Sequence, residues 1–566
     1  MRTFLFSLFA LLAIFSPLAS SAVFVGEAAN FSIDSDRDLL QRDTISATLV
    51  KIGPEAYYYM ESTVWNALSQ VQQSDVALAI DALDREFHSV IYPTLVDFFG
   101  SEWNPGIDND SRITVLLHRM KGEHGGYVNI GDEYEKVQYP NSNQREMVYL
   151  NTERLGTPIF KSFLAHEFVH VITFNQKERL RQVTEDVWLN ELRAEYAPTL
   201  LGYDTAYQDS NLKRRVQNFA SSPNGSLTEW QNEPGDYGAA SLFGQYIADQ
   251  YGARILADSL HKGTVGIVSL QDALQSNGFN EGFSQLFTNW VFALFLNDCQ
   301  YGERYCYHNP PLKNLRLVSQ TNFLPSTGES ALTLNNTTKD WAGNWIRVVG
   351  GKEVMTVEFQ SAAAIPFKVP YLLERNDGSF ITKAIEINAQ NRGTVTIQNF
   401  NTENRAMALM PLAQGSVSSR QGVYPVYPYS LVISATGQTQ EQKEGVIAQL
   451  LSQIDFLKKE IAKLQAQLEA TRSPKNSVSC SLFTKDLFLG MRNDSEVSCL
   501  QQFLISQGKN IYPEGLVTGN FFTYTQAAVV KFQEQYAQEI LTPIGLLNGT
   551  GYVGSLTRQK INQLFQ

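Results

Sequence analysis

The stretch Gly156–Asn175, GTPIFKSFLAHEFVHVITFN, decides how the chain is read. It carries His166-Glu167-Phe168-Val169-His170, and on a helix residues four apart lie one above the other, so both imidazoles share a face with Glu167 beside them. Two imidazoles held that way suit a zinc ion. The helix is well specified: Thr157 can cap it, Pro158 fits its first position, and Phe160, Phe163, Leu164, Val171 and Phe174 form a broad apolar stripe. That stripe predicts burial, which also offers a plainer reading, two histidines satisfying hydrogen bonds in a core. With 7 His in 566 residues, a chance HExxH arises in on the order of 0.5 % of such chains. The next segment, Thr184–Tyr196 (TEDVWLNELRAEY), weighs against chance. A catalytic zinc needs a third protein ligand and an open position for water, and Glu191 lies where a following helix can supply it.

HEFVH followed by WLNELRAEY resembles the gluzincin metallopeptidases, whose HExxH is followed by a second helix carrying Asn-Glu. GGYVNIGDEY, REMVYLNT, DYGAASLFGQYIADQYG and FTNWVFALFLND extend the likeness, from Gly125 to Asp298, to hyicolysin-type peptidases. The resemblance implies one zinc held by His166, His170 and Glu191, with Glu167 as general base. It implies that Glu195, one turn beyond Glu191, orients the first histidine. It also implies that Met147–Asn151 is the edge strand holding the substrate backbone through Met147, Val148 and Tyr149. Tyr237, in Asp236-Tyr237-Gly238, is the best match for the family's oxyanion donor; a core tyrosine is the equal alternative, with Tyr246 the second choice. The metzincin pattern is excluded because it requires Gly and His where Thr173 and Gln176 stand. The GxMEN run of gluzincin aminopeptidases is absent, which favours an endopeptidase.

Residues 1–22 have one positive charge, at Arg2, then an apolar run from Phe4 to Phe15 and small residues. This reads as a secretory signal cleaved after Ala22 or Ser21, the alternative being an uncleaved anchor. The location implied is extracellular or wall-associated. About 540 residues then remain, more than one core accommodates. Composition is that of a globular protein, 43 % hydrophobic and 18 % charged, and a net charge of -12 argues against a nucleic-acid partner. Four cysteines fall into two local pairs, Cys299 with Cys306 and Cys480 with Cys499. In an exported chain such pairs read as disulfides, each contributing roughly 2–3 kcal/mol, and without a CxxC they do not read as a metal site.

The expected architecture is multidomain α+β. Residues 23–310 form the peptidase region, an α/β lobe to about residue 155 and a helical lobe after it, with helical periodicity over Ser74–Phe99 and strands at Ile113–Leu117 and Met147–Leu150. Residues 311–435 read as an all-β sandwich of short strands, with a hairpin at Asn376-Asp377-Gly378. Over 436–471 Ile447, Ile454, Ile461 and Leu468 alternate with Leu450, Leu457 and Leu464 in heptads, predicting either a parallel homodimeric coiled coil or a spacer helix lying on a neighbour. Residues 480–566, with TGNFFTYTQAAVVKFQ, resemble the peptidoglycan-binding type 1 domain, a small three-helix fold, which implies a cell-wall partner. Phe522 stands where that family has Gly.

His118 and His124 precede the site and invite a substrate-binding role, although a structural or exposed histidine is the plainer reading. Asp132 and Glu133 raise the question of calcium, which is not indicated; a solvated acidic loop is preferred. The function expected is a secreted zinc endopeptidase acting on protein or peptide and targeted to the wall. The alternatives are an inactive wall-bound scaffold and a hydrolase of peptidoglycan stem peptides.

Overall fold

Alternation along AYYYME, ITVLLH and MVYLN builds the first sheet, whose β-branched and aromatic residues are buried on both faces. The structure, a computed structural model, describes residues 23–122, 124–415, 424–436, 453–465 and 480–565. It divides into two units, Met1–Glu441 and Gln442–Gln566.

The sheet contains β1 (Ala28–Ser32), β2 (Thr44–Ile52), β3 (Ala56–Glu61), β4 (Ile113–His118), β5 (Gly126–Tyr127) and β6 (Met147–Asn151), in the order β1-β2-β3-β4-β6-β5. β3, β4 and β6 run parallel, while β5 pairs antiparallel with β6. One face carries Tyr58, Leu117 and Val148 into the main core; the other carries Tyr59, Leu116 and Tyr149 into a smaller one. The crossover from β3 to β4 holds α1 (Gln70–Glu86), a π turn at Phe87–Ile91 and α2 (Tyr92–Phe99), so the helical period read over Ser74–Phe99 holds with one interruption.

Below the sheet lie α3 (Phe160–Thr173), α4 (Val187–Leu200), α5 (Asn211–Ser221), α6 (Pro234–Tyr251) and, later in the chain, α7 (Phe283–Leu296). α3 starts later than its sequence suggests. Thr157 gives its hydroxyl to Arg154 O at 2.6 Å instead of capping, and Pro158 lies in the turn before the helix. Almost every residue of α3 from Leu164 onward is buried, and a π turn at Phe174–Arg179 follows it.

Two further sheets follow, ordered β13-β10-β16-β8 and β12-β11-β14-β9-β7, the latter with β15 on β11. Here β7–β16 are Gln320–Leu324, Ser330–Thr338, Ile346–Gly350, Val354–Gln360, Phe367–Arg375, Phe380–Ile385, Arg392–Ile397, Asn404–Leu409, Leu412–Ala413 and Tyr427–Thr436. The Asn376-Asp377-Gly378 turn joins β11 to β12 as a hairpin. The boundary read at residue 310 falls inside the first unit, because Trp341 packs edge-on against Phe283 at 4.7 Å and Trp345 donates from Nε1 to Val291 O at 3.1 Å.

In the second unit 453–465 is helical, with Ile454, Leu457, Ile461 and Leu464 all exposed; the remainder of the heptad segment lies outside the described residues. The C-terminal part contains α9 (Ser495–Ser506), α10 (Thr523–Gln535) and α11 (Ser555–Phe565), the 453–465 helix being α8. It repeats one device that the sequence reading did not register. Gln501 Oε1 accepts from Thr518 N and Gly519 N at 2.7 and 2.9 Å while its Nε2 donates to Thr525; Gln533 does the same with Thr550 N, Gly551 N and Thr557. Both expected disulfides are formed, Cys299–Cys306 and Cys480–Cys499. Among the described residues no helix is long and apolar enough to cross a membrane.

Candidate metal centre

α3 and α4 pack side by side, and their facing turns bring three donor atoms together. His166 Nε2 and His170 Nε2 are 3.2 Å apart, and Glu191 Oε2 is 3.2 Å from the first and 3.6 Å from the second. A metal at roughly 2.0–2.1 Å from tetrahedral donors spaces those donors by about 3.3 Å, so the trio has the dimensions of a metal site. Glu191 Oε2 is buried and faces the two imidazoles, with no other donor at hydrogen-bond distance. Burial opposes charge on each member, yet the imidazoles hold the Glu191 carboxyl down to about 2 and Glu191 with Glu195 pushes His166 up to about 10, so without an ion the cluster is held together by its own opposite charges.

Behind His166, Glu195 Oε1 lies 3.2 Å from Nδ1. Burial would raise the Glu195 carboxyl, but Arg215 and His166 together hold it below the usual carboxylate range. Arg215 Nε donates to its Oε2 at 2.8 Å, and so does Asn211 Nδ2 at 2.8 Å, both from α5. Glu195 therefore keeps the ring turned so that Nε2 faces the other donors.

Glu167 lies within the electrostatic reach of His166, His170 and Glu191 and also borders the sheet at Gly126. Burial pushes its carboxyl above the usual carboxylate range, opposed by the neighbouring imidazoles. Gly126 of β5 passes beside it: a Cβ there would lie 3.0 Å from Glu167 Cγ and 2.7 Å from Tyr149 O, so the strand approaches this closely only as glycine. This corrects the assignment of the edge. Met147, Val148 and Tyr149 belong to β6, which is flanked by β4 and β5 and wholly buried, so the strand that borders the site with a free side is β5. The long apolar run MVYLN suggested a strand but not its neighbours; the short GY pair carried too little pattern to register.

Tyr237, in the first turn of α6, is brought to the same region. Its ring meets Trp230 edge-on at 4.8 Å and lies under the Arg215 guanidinium at 4.4 Å, and its hydroxyl donates to Asn232 Oδ1 at 2.8 Å. Burial, then the charge of Glu191, raises its phenol well above the usual range, keeping it a donor. Tyr246 is a core residue that donates to Arg304 O at 2.8 Å, so it is no second candidate.

His118 is buried in β4 and lies 3.4 Å from Asp38, a structural role; His124 O accepts from Asn151 Nδ2 at 3.0 Å. Asp132 and Glu133 are not a solvated loop. They sit in a 3-10 turn, Ile130–Glu133, and are buried, with Tyr149 OH donating to Asp132 Oδ2 at 2.5 Å. A second group, Cys299, Glu303, Cys306 and His308, also has its donor atoms close together, but its two sulfurs are joined in the disulfide.

No family model and no curated protein matches the sequence. Among solved structures, the mitogen of Yersinia pseudotuberculosis aligns at 10 % identity over 20 % of this chain and 90 % of its own, with a TM-score of 0.14. PliG of Aeromonas hydrophila, a periplasmic inhibitor of g-type lysozyme, aligns at 12 % over 21 % of this chain and 98 % of its own, also at 0.14. The VP2 subviral particle of infectious bursal disease virus gives 13 %, 20 %, 34 % and 0.14. Likenesses at that TM-score bear on neither fold nor function.

Proposed function

We propose that this chain is an exported zinc endopeptidase of the kind its sequence resembles, with a C-terminal module that binds cell wall. The observation that carries the reading is the convergence of His166 Nε2, His170 Nε2 and Glu191 Oε2 at 3.2–3.6 Å, with Glu195 behind the first ring. Zinc held there would acidify a bound water toward neutral pH and polarise a scissile carbonyl. The chain's own groups do the rest. An extended substrate lies along the free side of β5, which aligns its backbone beside Glu167. Glu167 accepts a proton as water attacks and returns it to the leaving amine. Tyr237 gives its hydroxyl hydrogen to the oxyanion of the tetrahedral intermediate. An inactive scaffold would have no need of a buried carboxylate converging with two imidazoles at metal-donor spacing.

Glu167→Gln tests this. The variant should keep one zinc per chain, since Glu167 is not among the donors, and lose at least about 10²-fold in peptide hydrolysis. Undiminished turnover would reject the mechanism. Running casein against purified wall peptide separates a general endopeptidase from a stem-peptide hydrolase.

A further inference from the structure

Arg214 is a half-buried guanidinium whose hydrogen-bond partner is uncharged. It belongs to α5, next to the Arg215 that holds Glu195, and it reaches the HExxH helix: its Cζ lies 5.4 Å from the centre of the Phe163 ring. Nε and Nη2 both donate to Asn211 Oδ1, at 3.2 and 2.6 Å, and the same amide gives an Nδ2 hydrogen to Glu195 Oε2 at 2.8 Å. Glu195 itself is paired with Arg215 and His166. Among the described residues Arg214 forms no ion pair, and its Nη1 donates to no group. Burial, and then the neighbouring Arg215, pull the guanidinium down to about 10, and Glu195 offsets them only in part. It is a cation short of counter-charge.

Phe163 connects this cation to the strand that borders the site. It stands one turn before His166 and Glu167 on α3, and a Cβ at Gly125, which leads into β5, would come within 2.6 Å of its ring. Arg154 meets the same lead-in, donating from Nη2 to Gly122 O at 2.6 Å, and it too forms no ion pair among the described residues. Arg154 lies close enough to Arg214 to add to the repulsion there. The approach to β5 is therefore flanked by two guanidiniums without carboxylate partners.

We propose that Arg214, backed by Arg154, receives an acidic side chain of the substrate beside the scissile bond. The inference rests on reading β5 as the strand along which the substrate lies. A planar guanidinium offers paired N–H donors that match a carboxylate, and a partly desolvated cation gains more from that pair than an exposed one does. The chain as a whole carries a net charge of -12, so its general field repels acidic peptides. A preference for them has to come from a local site.

The test gives the full zinc-loaded chain peptides that differ only in Glu or Gln at the two positions on either side of the cleaved bond. All are amidated at the C-terminus, so the side chain is the one carboxylate that varies, and anisotropy follows binding of the same set. The wild type should favour Glu by at least about 10-fold in kcat/KM at one of those positions, a gain that shrinks as NaCl rises. Arg214→Gln should bring the Glu-to-Gln ratio near one with zinc content and melting temperature held, and Arg214→Lys should keep part of it. Cleavage by the wild type with a ratio near one would overturn the Arg214 site and leave the peptidase reading standing. A full ratio in both variants would place the acidic subsite elsewhere. Binding that favours Glu, and loses that preference in Arg214→Gln, without cleavage of any peptide would uphold the site and sink the peptidase reading instead. If Arg214→Gln fails to fold, the wild-type ratio and its fall in Arg214→Lys decide the point.

Discussion

Glu195 Oε1 lies 3.2 Å from Nδ1 of His166, opposite the Nε2 that faces His170 and Glu191, and Arg215 holds the same carboxylate from α5. The orientation of the His166 ring thus depends on a residue of a third helix. Glu195→Gln should weaken zinc binding by about 10–100-fold in a chelator competition, at a temperature where the variant is folded. Its melting temperature should fall as well, since Arg215 is left buried without its counter-charge. Unchanged zinc affinity would assign Glu195 to packing alone.

Tyr237→Phe removes one hydroxyl and leaves the ring between Trp230 and Arg215. Zinc content and melting temperature should hold while kcat falls on the order of 10²–10³-fold with little change in KM. If KM rises and kcat stays, Tyr237 binds substrate uniformly and another group faces the oxyanion.

Glu229 sits in the loop between α5 and α6 with both oxygens buried and without a close hydrogen bond, its one ion pair a long 3.9 Å contact to Lys339, and near Asp340 and Asp236. Burial, only partly offset by Lys339, lifts its carboxyl to about 7. A carboxyl whose pKa is higher in the fold than in the unfolded chain favours folding most below its unfolded value, and that contribution is lost as pH rises through the folded value. Glu229→Gln should therefore match the wild type near pH 4 and exceed it increasingly toward pH 8, by on the order of 2 kcal/mol. Melting curves across that range check it; a constant difference would mean that Glu229 does not titrate there.

Ile454, Leu457, Ile461 and Leu464 are exposed along α8, the pattern of a seam waiting for a second helix. Light scattering should report a dimer for the full chain and a monomer once Ile454 and Ile461 are both replaced by Lys. A monomeric wild type would make the helix a spacer.

The metal trio was legible in the sequence because helical spacing alone sets His166 over His170 and because WLNE announces a second helix. Glu195 and Tyr237 entered by resemblance, and the structure places both beside Arg215, which no motif marked: its value comes from the turn of α5 that faces Glu195. The β5 edge was missed because two residues have no periodicity. The burial of Glu133 was missed because an acidic loop and an acidic core turn read alike in sequence. The join at Trp341 was hidden for a related reason, since a lone tryptophan in a β-rich stretch gives no sign of which core it serves.

That join sets a limit on dissection. Trp341 reaches past its own sandwich to Phe283 and Phe287, which lie beside Trp290 and Phe243. A fragment ending at Pro310 would uncover this aromatic floor to water, and the exposed rings would invite self-association. The β region thus forms one wall of the core that carries the His166–His170–Glu191 cluster, and the smallest piece of this chain that keeps that core covered extends to β16.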